Sequence, residues 1–186
     1  MTSTLDPENR VIYLTKGEES IGPDTAGDFC QQIDYLTNIS DDEINIKMIC
    51  VDGGCWYSGM AMYRHIKDCP CYVTIKAFSL LCSMGTVLLQ AADSRLICPD
   101  MEMMVHFGST EFSGEALAVK TYADFTKNSS NKLLHIYAEK CKEAEYFNGQ
   151  TQAKVASYLR TKIKDKGDWW MNAEEAIQYG FADDYV

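Results

Sequence analysis

Apolar residues fall into two alternating rhythms along this chain. RVIYLT (10–15) and INIKMICV (44–51) are short runs rich in β-branched residues, of the kind buried in a parallel sheet. Between them, DTAGDFCQQIDYLTN sets Ala26, Phe29, Cys30, Ile33 and Leu36 at helical spacing behind Asp24 as the capping residue. SGMAMYRHIKD (58–68) then reads as a helix, CYVTIKA (71–77) as a strand and SMGTVLLQAAD (83–93) as a helix. SRLICP (94–99) and EMMVHF (102–107) read as two further strands. This alternation predicts an α/β fold built on a largely parallel sheet.

After Gly114 the rhythm changes to a long helical stretch through Glu145, with Asn128-Ser129-Ser130-Asn131 as a break or hinge inside it. A further helix is predicted over about 151–164. In the last one, Asn172 with Glu175 forms a capping-box variant and Gly180 is the stop. Repeats, low-complexity tracts and linkers are lacking, so one domain spanning 1–186 is expected.

Composition narrows the function classes. Against 27 Asp and Glu stand only 17 Lys and Arg, a net charge of −10, and no basic stripe is set out for phosphates; nucleic acid is not an expected partner. No run approaches the ~20 apolar residues of a membrane span. MTSTLDPENR lacks the basic and apolar regions of a signal peptide, so a cytoplasmic chain is expected. The eight cysteines contain no CxxC pair and mostly lie in apolar runs, where a reduced thiol is a small hydrophobe. CPC at 69–71 is the one cluster, and its spacing suits tetrahedral zinc poorly. Neither a metal nor an organic cofactor is called for.

Four pieces carry candidate chemistry. In LLCSMGTVLL, Ser83 stands where a helix begins. It reads either as an N-cap or as a nucleophile beside backbone donors. Asp52-Gly53-Gly54 follows a strand, and Phe78 to Ser83 is expected as a loop after another. Functional groups gather at such strand ends in open parallel sheets. The glycines allow either a tight turn or close approach of a ligand to the backbone. His106 ends a strand and Asp168 lies in GDWWMNAEEA; taken singly, each could be idle.

The ordered set VDGGCWYSGMAMY, LLCSMGTVLL, MMVHFG, SGEALAVKTYADF and GDWWMNAEEAIQYGFADD resembles the ClpP-type caseinolytic serine peptidases, from Arg10 to Val186. The resemblance implies a ClpP/crotonase-like spiral of βαβ units with a protruding handle helix, here about 112–146. It implies a triad of Ser83, His106 and Asp168, with the N–H groups of Gly54 and Met84 as the oxyanion hole. His65, His135 and Asp165 match no catalytic position, and Cys82 is read as packing. The implied activity is endopeptidase cleavage of peptides and unfolded proteins. The implied setting is a chamber of self-assembled stacked rings, a tetradecamer, served by an AAA+ unfoldase.

The chain also departs from that family. Asp52 replaces a proline beside the oxyanion position and would oppose a developing anion unless its side chain faces away. Gly108 replaces a proline two residues after the histidine. STEFSG (109–114) stands where a glycine-rich, substrate-pairing strand is expected. Ile46, Met48, Phe78 and Leu96 match apolar unfoldase-docking positions, with Lys76 among them. Whether the short N-terminal segment makes an ungated pore is left open by the sequence. These departures motivate a second reading, a non-catalytic ring subunit that modulates an active paralogue. A crotonase-type acyl-CoA enzyme is the third, since fold does not fix function.

Overall fold

In the computed structural model, which describes residues 1–17 and 20–186, the alternation becomes an eight-stranded mixed sheet with six α-helices among those residues. β1 (Thr2–Asp6) turns back as β2 (Val11–Thr15); α1 (Pro23–Ile39) leads to β3 (Ile44–Val51), and α2 (Trp56–Lys67) to β4 (Val73–Cys82). Then come α3 (Met84–Leu89), β5 (Ser94–Ile97), β6 (Glu102–Val105) and the long α4 (Ala116–Cys141). A 3-10 turn (Glu145–Phe147), α5 (Gln152–Lys166), β7 (Trp169–Asn172), α6 (Ala173–Gln178) and β8 (Asp184–Tyr185) complete the chain. The main path runs β1-β2-β3-β4-β5-β8, all parallel except the β1–β2 hairpin.

The expected elements are present, with instructive differences. α1 starts at Pro23 behind Gly22, so Asp24 lies in the first turn and not at the cap; proline at the first helical position supplies the start signal. α6 carries the Asn172/Glu175 capping box in full. Gly180 at φ 78° stops it, with Gly180 N–H bonded to Ile177 O and Phe181 N–H to Ala176 O. The segment 78–83 is not a loop down to Cys82: β4 continues because Leu80–Cys82 find β6 as a partner. STEFSG (109–114) forms no strand and is exposed. The polar patch 128–131 does not break α4. Ser130 donates back to Thr126 O at 3.3 Å, and Asn131 Oδ1 accepts from Arg160 on α5 at 2.9 Å, so both are satisfied inside the helix.

The core lies between the sheet and the helices that cross it. Phe29 and Leu36 of α1, Ile46 and Met48 of β3, Val87 to Leu89 of α3, and Tyr137 of α4 are fully buried. Ile46 and Met48 therefore point inward and cannot serve as docking positions. Strand alternation turns Lys47 outward instead. There it stands between Tyr13 and Lys76, and Lys76 faces Leu96 on the next strand. Lys47 Nζ lies 5.3 Å from the Tyr13 ring. Of the four apolar positions, only Phe78 and Leu96 stay half-buried.

Arg95 ties the end of the chain to the sheet. Its guanidinium is almost fully buried and bonds the Asp183 carboxylate, Gln90 Oε1 at 2.7 Å and Gly180 O at 2.8 Å. Arg95→Ala removes all of these and leaves buried acceptors unpaired. Equilibrium urea unfolding should show a loss of about 3 kcal/mol, with no gain from raising the salt concentration.

Candidate active site

Two adjacent strands bend together just before the cleft. β3 and β4 stay in register from Ile44–Val73 to Ile49–Phe78, then resume at Val51–Leu81. The residues between include Cys50 (φ 53°) and Ser79 (φ 68°), both in the left-handed region. Such a bulge redirects the strands without separating them. Beyond it the two tips remain neighbours: Gly53 packs so closely on Ser83 that a Cβ there would lie 2.7 Å from Ser83 Cβ. Gly53 (φ 98°) and Gly54 (φ 147°) use backbone conformations that L side chains rarely adopt.

The sheet ladders bring the remaining pieces to the same place. β6 lies parallel to the end of β4, with Cys82 beside Met104, and Ser83 N–H bonds Met104 O at 2.9 Å. β7 runs antiparallel to β6 with Val105 opposite Trp169. One further step along that register sets His106 opposite Asp168. The side chains meet accordingly: His106 Nε2 is 2.8 Å from Ser83 Oγ, and His106 Nδ1 is 3.2 Å from Asp168 Oδ1. His106 is partly buried and Asp168 faces solvent.

Ser83 occupies the N-cap position of α3, yet its side chain makes no cap bond. The hydroxyl is turned to the imidazole instead. Its backbone, φ 51° and ψ −121°, is strained for a non-glycine residue, as at the strand-to-helix elbow of hydrolytic nucleophiles. Met84, at N1, has no intrahelical carbonyl for its N–H. Gly54 sits opposite Ile21, which bonds Gly53 O at 2.7 Å and the Cys55 N–H at 2.8 Å. The Gly54 N–H is thus left on the other edge. Gly54, Met84, Ser83 and His106 all line one cleft of about 650 Å3, with Tyr122 and Phe125 of α4 on its apolar wall. A hydroxyl that can pass its proton to a carboxylate-held imidazole, beside two free N–H groups, is able to perform acyl transfer.

The charges around the cleft are compensated. Asp52 lies 3.4 Å from Lys16 Nζ, so a cation stands beside the carboxylate that would otherwise oppose an oxyanion. Cys82 is buried, and burial pushes its thiol up to about 11, in keeping with packing. His65 on α2 turns to Ala61 O and Asp34, His135 on α4 meets Gln152, and Asp165 stays within α5; none lines the cleft. Among the described residues no group of three or more His, Cys, Asp and Glu is placed to hold a metal ion.

Two neighbours of the site were not singled out from sequence. Lys16 is one. The other is Cys55, exposed at the N-terminus of α2, whose thiol is drawn below its ordinary value by bonds from the Ser58 backbone and hydroxyl. A lone Cys after Gly-Gly carries no such signal, because the bonds come from the first turn of a helix expected to start later. At any given pH near neutrality Cys55 is therefore more ionised than Cys82. Limited alkylation with iodoacetamide at pH 8, read by peptide mapping, should modify Cys55 first and leave Cys82 and Cys141 intact. Lowering the pH should slow the Cys55 reaction.

Comparison with known proteins gives a consistent assignment. The family model described as Clp protease matches residues 3–186. The chain is 29% identical to the ATP-dependent Clp protease proteolytic subunit 1 of Corynebacterium jeikeium, covering 95% of this chain and 87% of that protein. It is 27% identical to the proteolytic subunit 2 of Pseudomonas aeruginosa, over 95% and 81%. For the proteolytic subunit 3 of Streptomyces avermitilis the figures are 28%, 95% and 74%.

Proposed function

The chain belongs to the Clp protease family, and from that premise we propose that it is a serine endopeptidase acting on peptides and unfolded proteins. The observation that carries this reading is the unbroken line from Ser83 Oγ to His106 Nε2, 2.8 Å, and from His106 Nδ1 to Asp168 Oδ1, 3.2 Å.

Ser83 Oγ attacks the peptide carbonyl carbon as His106 Nε2 takes the hydroxyl proton. Asp168 accepts from His106 Nδ1–H, which fixes the tautomer and stabilises the imidazolium. The N–H groups of Gly54 and Met84 receive the oxyanion; one such donor is typically worth about 10²–10³ in rate. When the C–N bond breaks, His106 gives its proton to the leaving amine. Water, deprotonated by the same imidazole, then releases the acyl group from Ser83. Met84, Val87, Phe125 and Leu133 offer the cleft an apolar wall for one substrate side chain.

The wider setting belongs to the same reading. One peptidase domain spans the chain and assembles into two stacked rings around a chamber. The exposed half of α4, with Leu117, Val119 and Phe125 open, supports an assembly role for this helix. The relatives are named as subunits of ATP-dependent proteases, which supports an ATP-driven unfoldase as partner. Eight free thiols fit a reducing cytoplasm, and no described helix is long and apolar enough to cross a membrane.

The test is intact mass after a fluorophosphonate, on protein first sized for rings. Wild type should gain one adduct, absent from Ser83→Ala, and Ser83→Ala should lose roughly 10⁴-fold or more in kcat/KM on a fluorogenic peptide. Assembled rings that take no adduct would overturn the reading and leave a non-catalytic ring subunit in its place.

A further inference from the structure

Behind Ser83 runs a second, fully buried chain of hydroxyls that the mechanism above does not use. The Ser83 carbonyl accepts from Thr86 Oγ1–H at 2.6 Å, and also from Thr86 N–H at 3.0 Å. Thr86 Oγ1 is in turn 2.7 Å from Tyr137 Oη on α4. Both side chains are wholly shielded from solvent. Thr86 has one hydroxyl proton; with that proton on Ser83 O, Tyr137 is the donor to Thr86, and both hydroxyl protons along the line have an acceptor. The Tyr137 ring is itself held edge-on by Phe181, centroids 5.2 Å apart.

The geometry gives this chain a consequence for the cleft. The Ser83 carbonyl and the Met84 N–H belong to one planar trans peptide, so they point in opposite directions. Holding the carbonyl back toward Thr86 aims the Met84 N–H forward, into the cleft that Met84 lines. On the other side, the Ser83 N–H is bonded to Met104 O at 2.9 Å. Ser83 is thereby clamped from both flanks in its left-handed conformation, φ 51°. Without the clamp, a backbone strained by about 1–3 kcal/mol has reason to relax.

We propose that Thr86, backed by Tyr137, is a positioning residue that sets the Ser83–Met84 peptide and so aims the Met84 N–H at the oxyanion. This rests on the reading of Ser83 as the nucleophile. A threonine bonding back to the carbonyl three residues earlier is common at helix starts. A buried tyrosine from another element, seated on that same hydroxyl, is not needed for a helix start.

The experiment compares Thr86→Val, Thr86→Ser and Tyr137→Phe with wild type. It reads kcat and KM on a fluorogenic peptide, the fluorophosphonate labelling rate of the folded, size-checked protein, and Tm. Valine keeps the shape and removes the donor. Thr86→Val should lower kcat and the labelling rate about tenfold at unchanged KM, since the donor is misaimed but not lost. Thr86→Ser should restore both to within about twofold, and Tyr137→Phe should fall between, at about threefold. A fall in Tm with the wild-type labelling rate per folded molecule would overturn the proposal while leaving Ser83 as the nucleophile. A wild type that takes no label would remove that reading and the proposal with it. Should Thr86→Val not fold, Tyr137→Phe against Thr86→Ser decides by the same labelling rates.

Discussion

The end of β4 has two partners to satisfy, β3 on one side and β6 on the other, and the cleft depends on how the backbone meets both demands. Its first half pairs with β5, from Thr74–Ser94 to Ala77–Ile97, while Leu80 to Cys82 pair with β6. β4 thus passes from one parallel neighbour to another, and the irregularity falls between the two ladders, where β3 shifts with it and keeps its own pairing. Ser79 and Cys50 absorb the turn with positive φ. The joint bend delivers Gly53, Ser83 and His106 to neighbouring strand tips. Because β7 pairs with β6, Asp168 arrives by the same ladder. Four side chains and backbone groups far apart in sequence are thus located by hydrogen-bonded register, which is stiffer than any loop.

That stiffness carries polar cost inside the protein, and it is met by pairing. Among the described residues no buried side-chain nitrogen or oxygen lacks a hydrogen-bond partner. Gln90 illustrates the pattern: it donates to Thr86 O and Phe181 O and accepts from Arg95, bridging α3, the chain after α6, and β5. The same α3 helix therefore carries the Ser83 elbow at one end and the Arg95 anchor at the other. Surface charge is treated differently. The Lys16–Asp52 pair is half exposed and is worth little to stability. Its effect is local, since it places a cation against the one carboxylate nearest the Gly53–Gly54 turn.

What could be read from the sequence follows from which signals are local. β-branched runs and helical spacing placed β2 to β6 and α1 to α5 within a few residues. The Asn172–Glu175 box started α6 and Gly180 stopped it where expected. β1, β7 and β8 had no such signal. TSTLD is polar and takes its strand form from β2, and TrpTrp in β7 is a strand only because β6 lies beside it. The boundaries at Asp24 and Phe78 were misplaced for related reasons: Pro23 outranked the acidic cap, and a distant partner prolonged β4. Ser83, His106, Asp168 and Gly54 stood out only through the resemblance of the ordered motifs to the ClpP-type peptidases, since each taken singly could be idle. Thr86 and Tyr137 did not, because their meeting depends on α4 crossing behind α3, a contact across 51 residues. Ile46 and Met48 show the opposite error. Similarity of position suggested a surface role, and the two-residue period of β3 sends both side chains inward.

Gly108 shows how a departure from the family reshapes the site without dismantling it. A Cβ at this position would meet nothing within 4 Å, so space does not require glycine. The backbone does, with φ 84°, and a proline ring held near −65° cannot adopt it. β6 already has β4 on one edge and β7 on the other up to Val105. The ladder's hydrogen-bonded pairs end at Val105, with His106 one step on, and the turn at Gly108 then carries the chain away, so 109–114 makes no strand along the cleft. On the proposed reading, a peptide here loses one ladder partner for its main chain. What remains is the free edge of Gly54, whose other edge is taken by Ile21. Main-chain pairing contributes sequence-tolerant binding, while side-chain pockets confer selection. Binding in this cleft therefore leans on the apolar wall, where Tyr122 and Phe125 stand with ring centroids 6.3 Å apart and Phe112, which does not itself line the cleft, stacks on Tyr122 at 4.4 Å. Ser109 and Thr110 line the cleft all the same, so the segment that makes no strand remains part of its wall and is tied to α4 through Phe112.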